Sequence, residues 1–299
     1  MKNIRTDLAL EARELWQEDA GETTQLEGVI AREEDVFGMS VHHVEITNEI
    51  GAKVLGKPCG VYVTVELHGV ARRDADVFPR AIETVASVLE PMLPQNCGCV
   101  LVVGLGNRGI TPDAVGTCAV NHVMVTRHLV EQLPDIFGAM HPVSAIAPGV
   151  LGMTGVESGE IIAGVAARVK PDCIIIIDAL ASRNITRLCN TIQLTDTGIV
   201  PGSGVGNARA AINSKTMGVP VIAIGVPTVV DISAIIADIA AEIDTPLPPD
   251  IMREYGSQLM VTPKEIDVHI TDVGRIIGYA INTVLQPGIS IADMDVFLS

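Results

Sequence analysis

The sequence predicts an α/β fold, a mainly parallel sheet with helices on both faces, together with a β-rich segment over residues 28–69. Three observations carry this expectation. Residues 174–177 are four consecutive isoleucines between Pro171 and Asp178, an apolar run of strand length that reads as a strand covered on both faces. Val61, Val63, Val65 and Leu67 alternate with Tyr62, Thr64, Glu66 and His68, the period of a sheet with one buried face. From Asp76 onward, strand-like and helix-like stretches alternate, the pattern that builds a parallel sheet.

Each element follows from a local signal. Ala81, Ile82, Val85, Ala86, Leu89 and Leu93 fall at helical spacing, so 76–93 is expected to be a helix with Pro79 in its first turn. Residues 99–103 read as a strand, 113–132 as a helix and 143–147 as a short strand. A helix over 157–169 is opened by Thr154 and Glu157, spaced as a capping box. The strand at 173–177 is followed by a short helix. Strands at 190–194 and 220–225 and a helix at 231–242 continue the alternation. Residues 244–250, DTPLPPD, read as a loop. Thr262-Pro263-Lys264-Glu265 signals the start of the last helix through an N-cap, a proline at the first helical position and a capping glutamate. There is no internal repeat and no low-complexity segment.

Composition narrows the function. With 299 residues, 48% of them hydrophobic, and a mean hydropathy of +0.39, the chain supports an extensive core. No apolar segment reaches the roughly 18 to 20 residues of a membrane span. The start, MKNIRTDLALEARELWQED, is charged throughout and lacks the apolar stretch of a secretory signal, so a cytoplasmic address is expected. The six cysteines show neither C-x-x-C nor zinc-finger spacing and read as free thiols in a reducing compartment. A net charge of −16 with only 3% aromatic residues argues against direct nucleic-acid binding.

The residues that carry chemistry lie at strand ends. Asp113, in CVLVVGLGNRGITPDAVG, and Asp178, in KPDCIIIIDAL, each follow a buried strand, where open parallel sheets place their reactive groups. Asp113 after Thr111-Pro112 also reads as a helix cap. Asp178 needs water, a cation or a partner, because an unpaired buried carboxylate is costly. Two carboxylates meeting at one sheet edge share a proton, so one activates water while the other polarises a carbonyl. GLGNRG (Gly104, Gly106, Gly109) has dinucleotide-loop spacing, yet Val125 and Thr126 stand where the ribose-binding acid belongs, so the motif reads as a tight turn delivering Asn107 and Asp113. The glycine-rich stretch 198–209, with Gly202, Ser203 and Gly204, lacks the ending of a phosphate loop and serves either as a turn or as the lining of a peptide groove. Ser203 lacks the elbow context of a hydrolase nucleophile. The seven histidines show no ligand spacing, so no metal and no cofactor are expected.

Taken together, RTDLALEA, HHVEIT, VVGLGNRGITPDAVG, VTRHL, PVSAIAPGVLGMTGVES, KPDCIIIIDALASR, TIQLTDTGIVPGSGVGNAR, GVPVIAIGVPTVVD and LMVTPKEID closely resemble the germination protease family of endospore-forming bacteria along nearly the whole chain. The resemblance implies an unconventional aspartic endopeptidase with a core similar to that of hydrogenase maturation proteases. Its two catalytic aspartates carry over to Asp113 and Asp178. It further implies a homotetramer of the forespore or spore core that degrades small acid-soluble spore proteins at germination and is made as a self-processing zymogen. Thr6-Asp7-Leu8-Ala9-Leu10-Glu11 has the residue types of the family's cleavage motif, which gives a propeptide over 1–7, a cut between Asp7 and Leu8, and one protease domain over 8–299. Family members from bacilli carry a longer segment before LMVTPKE. Two rivals remain at this stage: a metal-dependent maturation protease of the same core, and a non-catalytic peptide-binding module that uses the 198–209 loop.

Overall fold

A computed structural model of the chain describes residues 6–20, 26–70, 74, 76–204, 206–242 and 259–298. The expected loop at 244–250, and the segment that is longer in bacilli, lie outside them. The strands are β1 (Val29–Val36), β2 (Met39–Ile46), β3 (Gly60–Glu66), β4 (Val100–Gly104), β5 (Val143–Ile146), β6 (Cys173–Ser182), β7 (Thr191–Thr195), β8 (Val221–Asp231) and β9 (Met260–Val261). They form one sheet in the order β1-β2-β3-β7-β8-β6-β4-β5, with β9 beside β8. The core strands β8, β6, β4 and β5 run parallel. The wing of β1, β2, β3 and β7 is antiparallel, and β7 joins it to β8.

The helices are α1 (Ala9–Ala20), α2 (Glu49–Leu55), α3 (Val77–Leu89), α4 (Val115–Val120), α5 (Arg127–Gln132), α6 (Pro134–Phe137), α7 (Leu151–Thr154), α8 (Ser158–Val169), α9 (Ser214–Met217), α10 (Ile232–Glu242), α11 (Ile266–Leu285) and α12 (Ile291–Leu298). They cover both faces of the sheet. Val100, Val102, Ile175, Ile177, Ile222 and Ile224 point to the face packed by α3, α4 and α11. Leu101, Val103, Ile174, Ile176 and Val221 point to the opposite face, where Ile162 of α8 meets them. On that second face the antiparallel wing is covered by α1 and α2, through Ala9, Trp16 and Leu55 against Val44, Ile46 and Tyr62.

Several local expectations change in tertiary context. The β-rich segment contains α2, which starts where the Asn48 side chain accepts from the N–H groups of Ile50 and Gly51. The strand expected at 190–194 forms as β7, but it pairs antiparallel to both neighbours. The helix 157–169 does begin with a capping box, built from Glu157 and Glu160, while Thr154 ends α7. At the last helix, Thr262 Oγ1 donates to the Thr228 carbonyl at 2.9 Å instead of capping, and α11 starts only at Ile266. All six cysteines are free, with Cys59 exposed, Cys173 and Cys189 buried and the others between.

The single helix expected over 113–132 is broken into a 3-10 turn at Thr111–Asp113, then α4 and α5. Asn282 of α11 and Gln286, the residue that caps its C-terminus, sustain the break. Asn282 accepts from the Met124 N–H and donates to the His122 carbonyl, both at 2.8 Å. Gln286 donates to Thr126 Oγ1 at 3.3 Å and also holds His141, accepting from its N–H at 3.1 Å and donating to its carbonyl at 2.8 Å. The break leaves backbone groups without helical partners in a buried place, and Asn282 supplies partners for two of them. Asn282→Leu, close in volume, is expected to destabilise the fold by about 3 kcal/mol because two buried backbone groups lose their partners. Urea unfolding measures this, and a loss below about 0.5 kcal/mol would show that the break is held by something else.

Candidate active site

The order of the parallel strands explains where a site forms. From β4 the chain crosses to β5 on one side and then returns to β6 on the other, so the crevice between the carboxyl ends of β4 and β6 is the switch point of the sheet. β4 ends at Gly104, paired with Ile177, and the Leu105 N–H makes one last bond to the Ile177 carbonyl at 2.8 Å. β6 does not stop there, as the sequence led us to expect. It continues beside β8 to Ser182, because β8 is longer still, so Asp178 lies within a strand but just beyond the end of β4.

Asp113 reaches the same crevice from the loop after β4. Gly106, at φ +102°, brings the chain so close that a Cβ there would stand 1.9 Å from the Asp113 carbonyl oxygen. Asp113 does not cap α4. Its Oδ2 turns back to accept from the Asn107 N–H at 2.8 Å, while Asn107 Oδ1 accepts from the Gly109 N–H at 2.9 Å. Asn107 therefore shapes the turn as well as lining the cavity.

Asp113 and Asp178 line one cavity of about 620 Å³, together with Asp7, Asn107 and the glycine-rich loop through Gly202, Ser203 and Gly204. Asp178 is 6% exposed, and its Oδ1 accepts from the Ala179 N–H at 2.9 Å. Burial, with the neighbouring charges of Asp113 and Asp7, pushes its carboxyl up to about 8 against that single N–H. Burial also raises Asp113, opposed by the Asn107 N–H. Asp113, less buried than Asp178, is the member of the pair that gives up its proton first. At neutral pH the pair thus consists of an ionised Asp113 and a largely protonated Asp178, the division of roles needed for acid and base chemistry.

Asp7 lies at this site, with Leu8 next to it in the chain. The Asp7 N–H donates to the Ala181 carbonyl at 2.9 Å, and the Asp7 carboxylate accepts from the Ala181 N–H and from Ser203 Oγ, each at 2.9 Å. Leu8 is completely buried. Gly204 makes room for this arrangement, since a Cβ there would stand 2.0 Å from Asp7 Oδ2. The base of the loop is closed by paired bonds between Ile199 and Ile212, so the loop is both a turn and a wall of the cavity. Among the described residues no group of three or more His, Cys, Asp or Glu side chains is gathered for a metal ion, and no helix is long and apolar enough to cross a membrane.

Sequence reasoning missed Gln193 and Lys57. Gln193, 5% exposed, pairs with Gly225, which in turn pairs with Asp178, so Gln193 and Asp178 lie on one face with Gly225 between them. Lys57 donates to the Thr6 carbonyl at 3.1 Å. Burial lowers its ammonium, opposed by the charges of Asp7 and Glu11. The only local signal was a glutamine inside an apolar strand, which says that a partner exists but not which one.

Comparison with known proteins places the chain in a family. Residues 9–244 match the family model described as Germination protease. The chain is 44% identical over 322 aligned positions to a germination protease of Caldanaerobacter subterraneus subsp. tengcongensis, covering 99% of this chain and 98% of that protein. It is 42% identical over 328 positions to a germination protease of Clostridium perfringens, with 100% of both covered. Among solved structures, a NiFe hydrogenase maturation protease from Thermococcus kodakarensis aligns at a TM-score of 0.38 and 16% identity, over 67% of this chain and 99% of that one. With a family model matched over most of its length and relatives aligned from end to end, the chain belongs to the germination protease family.

Proposed function

We propose that this chain is an endopeptidase that hydrolyses small acid-soluble spore proteins at germination, with Asp113 and Asp178 activating water. The observation that carries the reading is the cavity shared by two carboxyls, the more deeply buried of which, Asp178, is pushed up to about 8. Asp113 takes a proton from water as its oxygen bonds to the peptide carbon, while the Asp178 O–H donates to the carbonyl oxygen. The proton on Asp113 then passes to the leaving nitrogen as the C–N bond breaks, and Asp178 recovers its own. Because the pair itself supplies acid and base, activity is expected to survive exhaustive EDTA.

The chain is also read as a zymogen that cuts itself between Asp7 and Leu8, working as a homotetramer in the spore core. Asp7 lines the cavity of the two carboxyls and its charge reaches Asp178, so the tethered segment competes for the site at high effective concentration. Removing it frees the groove for other chains.

Incubation with a small acid-soluble spore protein, followed by mass spectrometry, tests the activity. Asp113→Asn and Asp178→Asn should each lower cleavage by about 100-fold or more with the fold intact, because the amide cannot exchange a proton. Near-normal cleavage by either variant removes that residue from the mechanism. Mild acid is expected to convert the full-length protein to one starting at Leu8, as read by N-terminal sequencing, and the Asp113→Asn chain should stay whole. Digestion of spore protein at full rate with Met1 still attached would end the zymogen reading.

The protonation of Asp178 has a second readout. Its carboxyl is held above its unfolded value, so the stability it contributes is complete below the ordinary carboxylate range and is lost as pH rises through about 8. Asp178→Asn cannot ionise. The Tm of the wild type should therefore fall relative to that of the variant between about pH 4 and pH 8, and the rate should decline above about pH 8, where the pair has no proton left. Parallel Tm curves across that window would show that Asp178 ionises normally.

A further inference from the structure

Residues 6–9 cross the sheet face from β6 to β7 with their backbone groups taken up by other parts of the chain. Lys57 holds the Thr6 carbonyl, and Ala181 receives the Asp7 N–H. Gln193 does the rest. Its Nε2 donates to the Asp7 carbonyl at 3.3 Å, and its Oε1 accepts from the Ala9 N–H at 2.7 Å, so one carboxamide brackets Leu8 on both sides. The two partners fix the orientation of the amide, since reversing it would set donor against donor and acceptor against acceptor.

We propose that Gln193 is a catalytic residue of this protease, donating to the carbonyl oxygen of the bond that is cut, and that Ser203 Oγ with the Ala181 N–H forms the seat of the acidic residue before it. The inference rests on the reading of Asp7–Leu8 as the bond the chain cuts in itself. The sheet sets the geometry. Gln193 and Asp178 share a row with Gly225 between them, so their Cα atoms are about two strand spacings, roughly 10 Å, apart. Gly225 makes room there for the Leu180 side chain, whose Cδ1 would stand 2.3 Å from a Cβ at that position, so a peptide crossing from Gln193 towards Asp178 lies over Leu180. The carbonyl of the cut bond then has the aspartate pair towards β6 and the Gln193 donor on β7.

The surroundings of Gln193 suit this role. It is fixed in a strand paired on both sides, at Thr64 of β3 and Gly225 of β8, so it does not have to reorganise as charge develops on the oxygen. A bond of 3.3 Å in the resting chain has room to tighten as the carbonyl becomes an oxyanion. The seat for the acid is equally built. The Asp7 carboxylate accepts one hydroxyl and one backbone N–H, Gly204 leaves it space, and the Lys57 ammonium is close enough to interact with its charge. Leu8, completely buried, defines an apolar position after the cut. The substrate class is a peptide with an acid before the cut and an apolar residue after it.

The test uses the whole chain, the spore protein, and two synthetic peptides, RTDLALEA and RTNLALEA. Gln193→Met, similar in length and without a donor, should lower kcat by about 100-fold on spore protein and slow self-cleavage equally, with KM within about threefold, and its Tm should fall because the Asp7 carbonyl and the Ala9 N–H lose their partner. Wild type should cut RTDLALEA about tenfold faster than RTNLALEA, and Ser203→Ala should bring the two within about threefold. A kcat within about threefold of wild type for a folded Gln193→Met overturns the inference, as does an undiminished Asp-to-Asn ratio in Ser203→Ala. Should Gln193→Met fail to fold, Gln193→Glu keeps the shape and, when ionised, has no N–H to give, and full activity in that variant is equally fatal. If wild type digests spore protein but never cuts after Asp7, the self-cleavage reading falls, and the kcat of the Gln193 variants on spore protein decides the inference alone.

Discussion

Everything at this site depends on a carboxyl buried where one parallel strand stops and its neighbour runs on. While β4 lies beside β6, each residue of β6 has a strand on both flanks and an apolar layer above and below, which four isoleucines suit. One residue beyond the last pairing, β6 carries Asp178. An ionised carboxylate there, with one backbone N–H for company, would cost more than the fold gains from ordering it, so the group keeps its proton. Asp113, with somewhat less burial and the Asn107 N–H on its oxygen, ionises first. The difference between two chemically identical groups therefore comes from where β4 ends and how tightly the chain turns at Gly106.

The same end of β6 positions the beginning of the chain. Ala181 has an N–H and a carbonyl to offer Asp7 just past a register shift, where Thr228 of β8 has no pairing partner in the ladder. Further along, α1 is tied to the turn after β6. Glu11, almost fully buried, accepts from the N–H groups of Arg183 and Asn184 at 2.7 and 3.0 Å and from Thr6 Oγ1. Arg187 grips Glu14 with both ends of its guanidinium, at 3.0 and 2.8 Å. A planar fork against a carboxylate tolerates little sliding. These contacts lock the register of residues 6–9 over the site.

The other face of the sheet performs a supporting task. Asn282 of α11, with Gln286 just past its end bonded to Thr126, divides what local propensity would make one helix into α4 and α5. A short α4 lets Gly116 pack against the carbonyls of Ile177 and Leu105, where a Cβ would come within 2.4 and 2.5 Å. The 3-10 turn that holds Asp113 is thereby seated directly above β6.

The sequence by itself determined the alternation of strands and helices, the buried run before Asp178, the two aspartates and the resemblance of residues 6–11 to a cleavage motif. These properties are written in neighbouring residues, through the period of apolar positions and the types found at strand ends. Tertiary structure alone decided that β6 outruns β4, that β7 lies antiparallel, that 113–132 breaks, and that Thr262 bonds to Thr228 instead of capping a helix. It also brought Gln193 to the backbone of residues 6–9, a pairing separated by 184 positions in the chain between Ala9 and Gln193. The physical reason is the same in each case. A polar group at a distance can replace the local hydrogen bond that propensity favours, and burial makes that replacement binding, yet no pattern of adjacent residues encodes which distant group it will be.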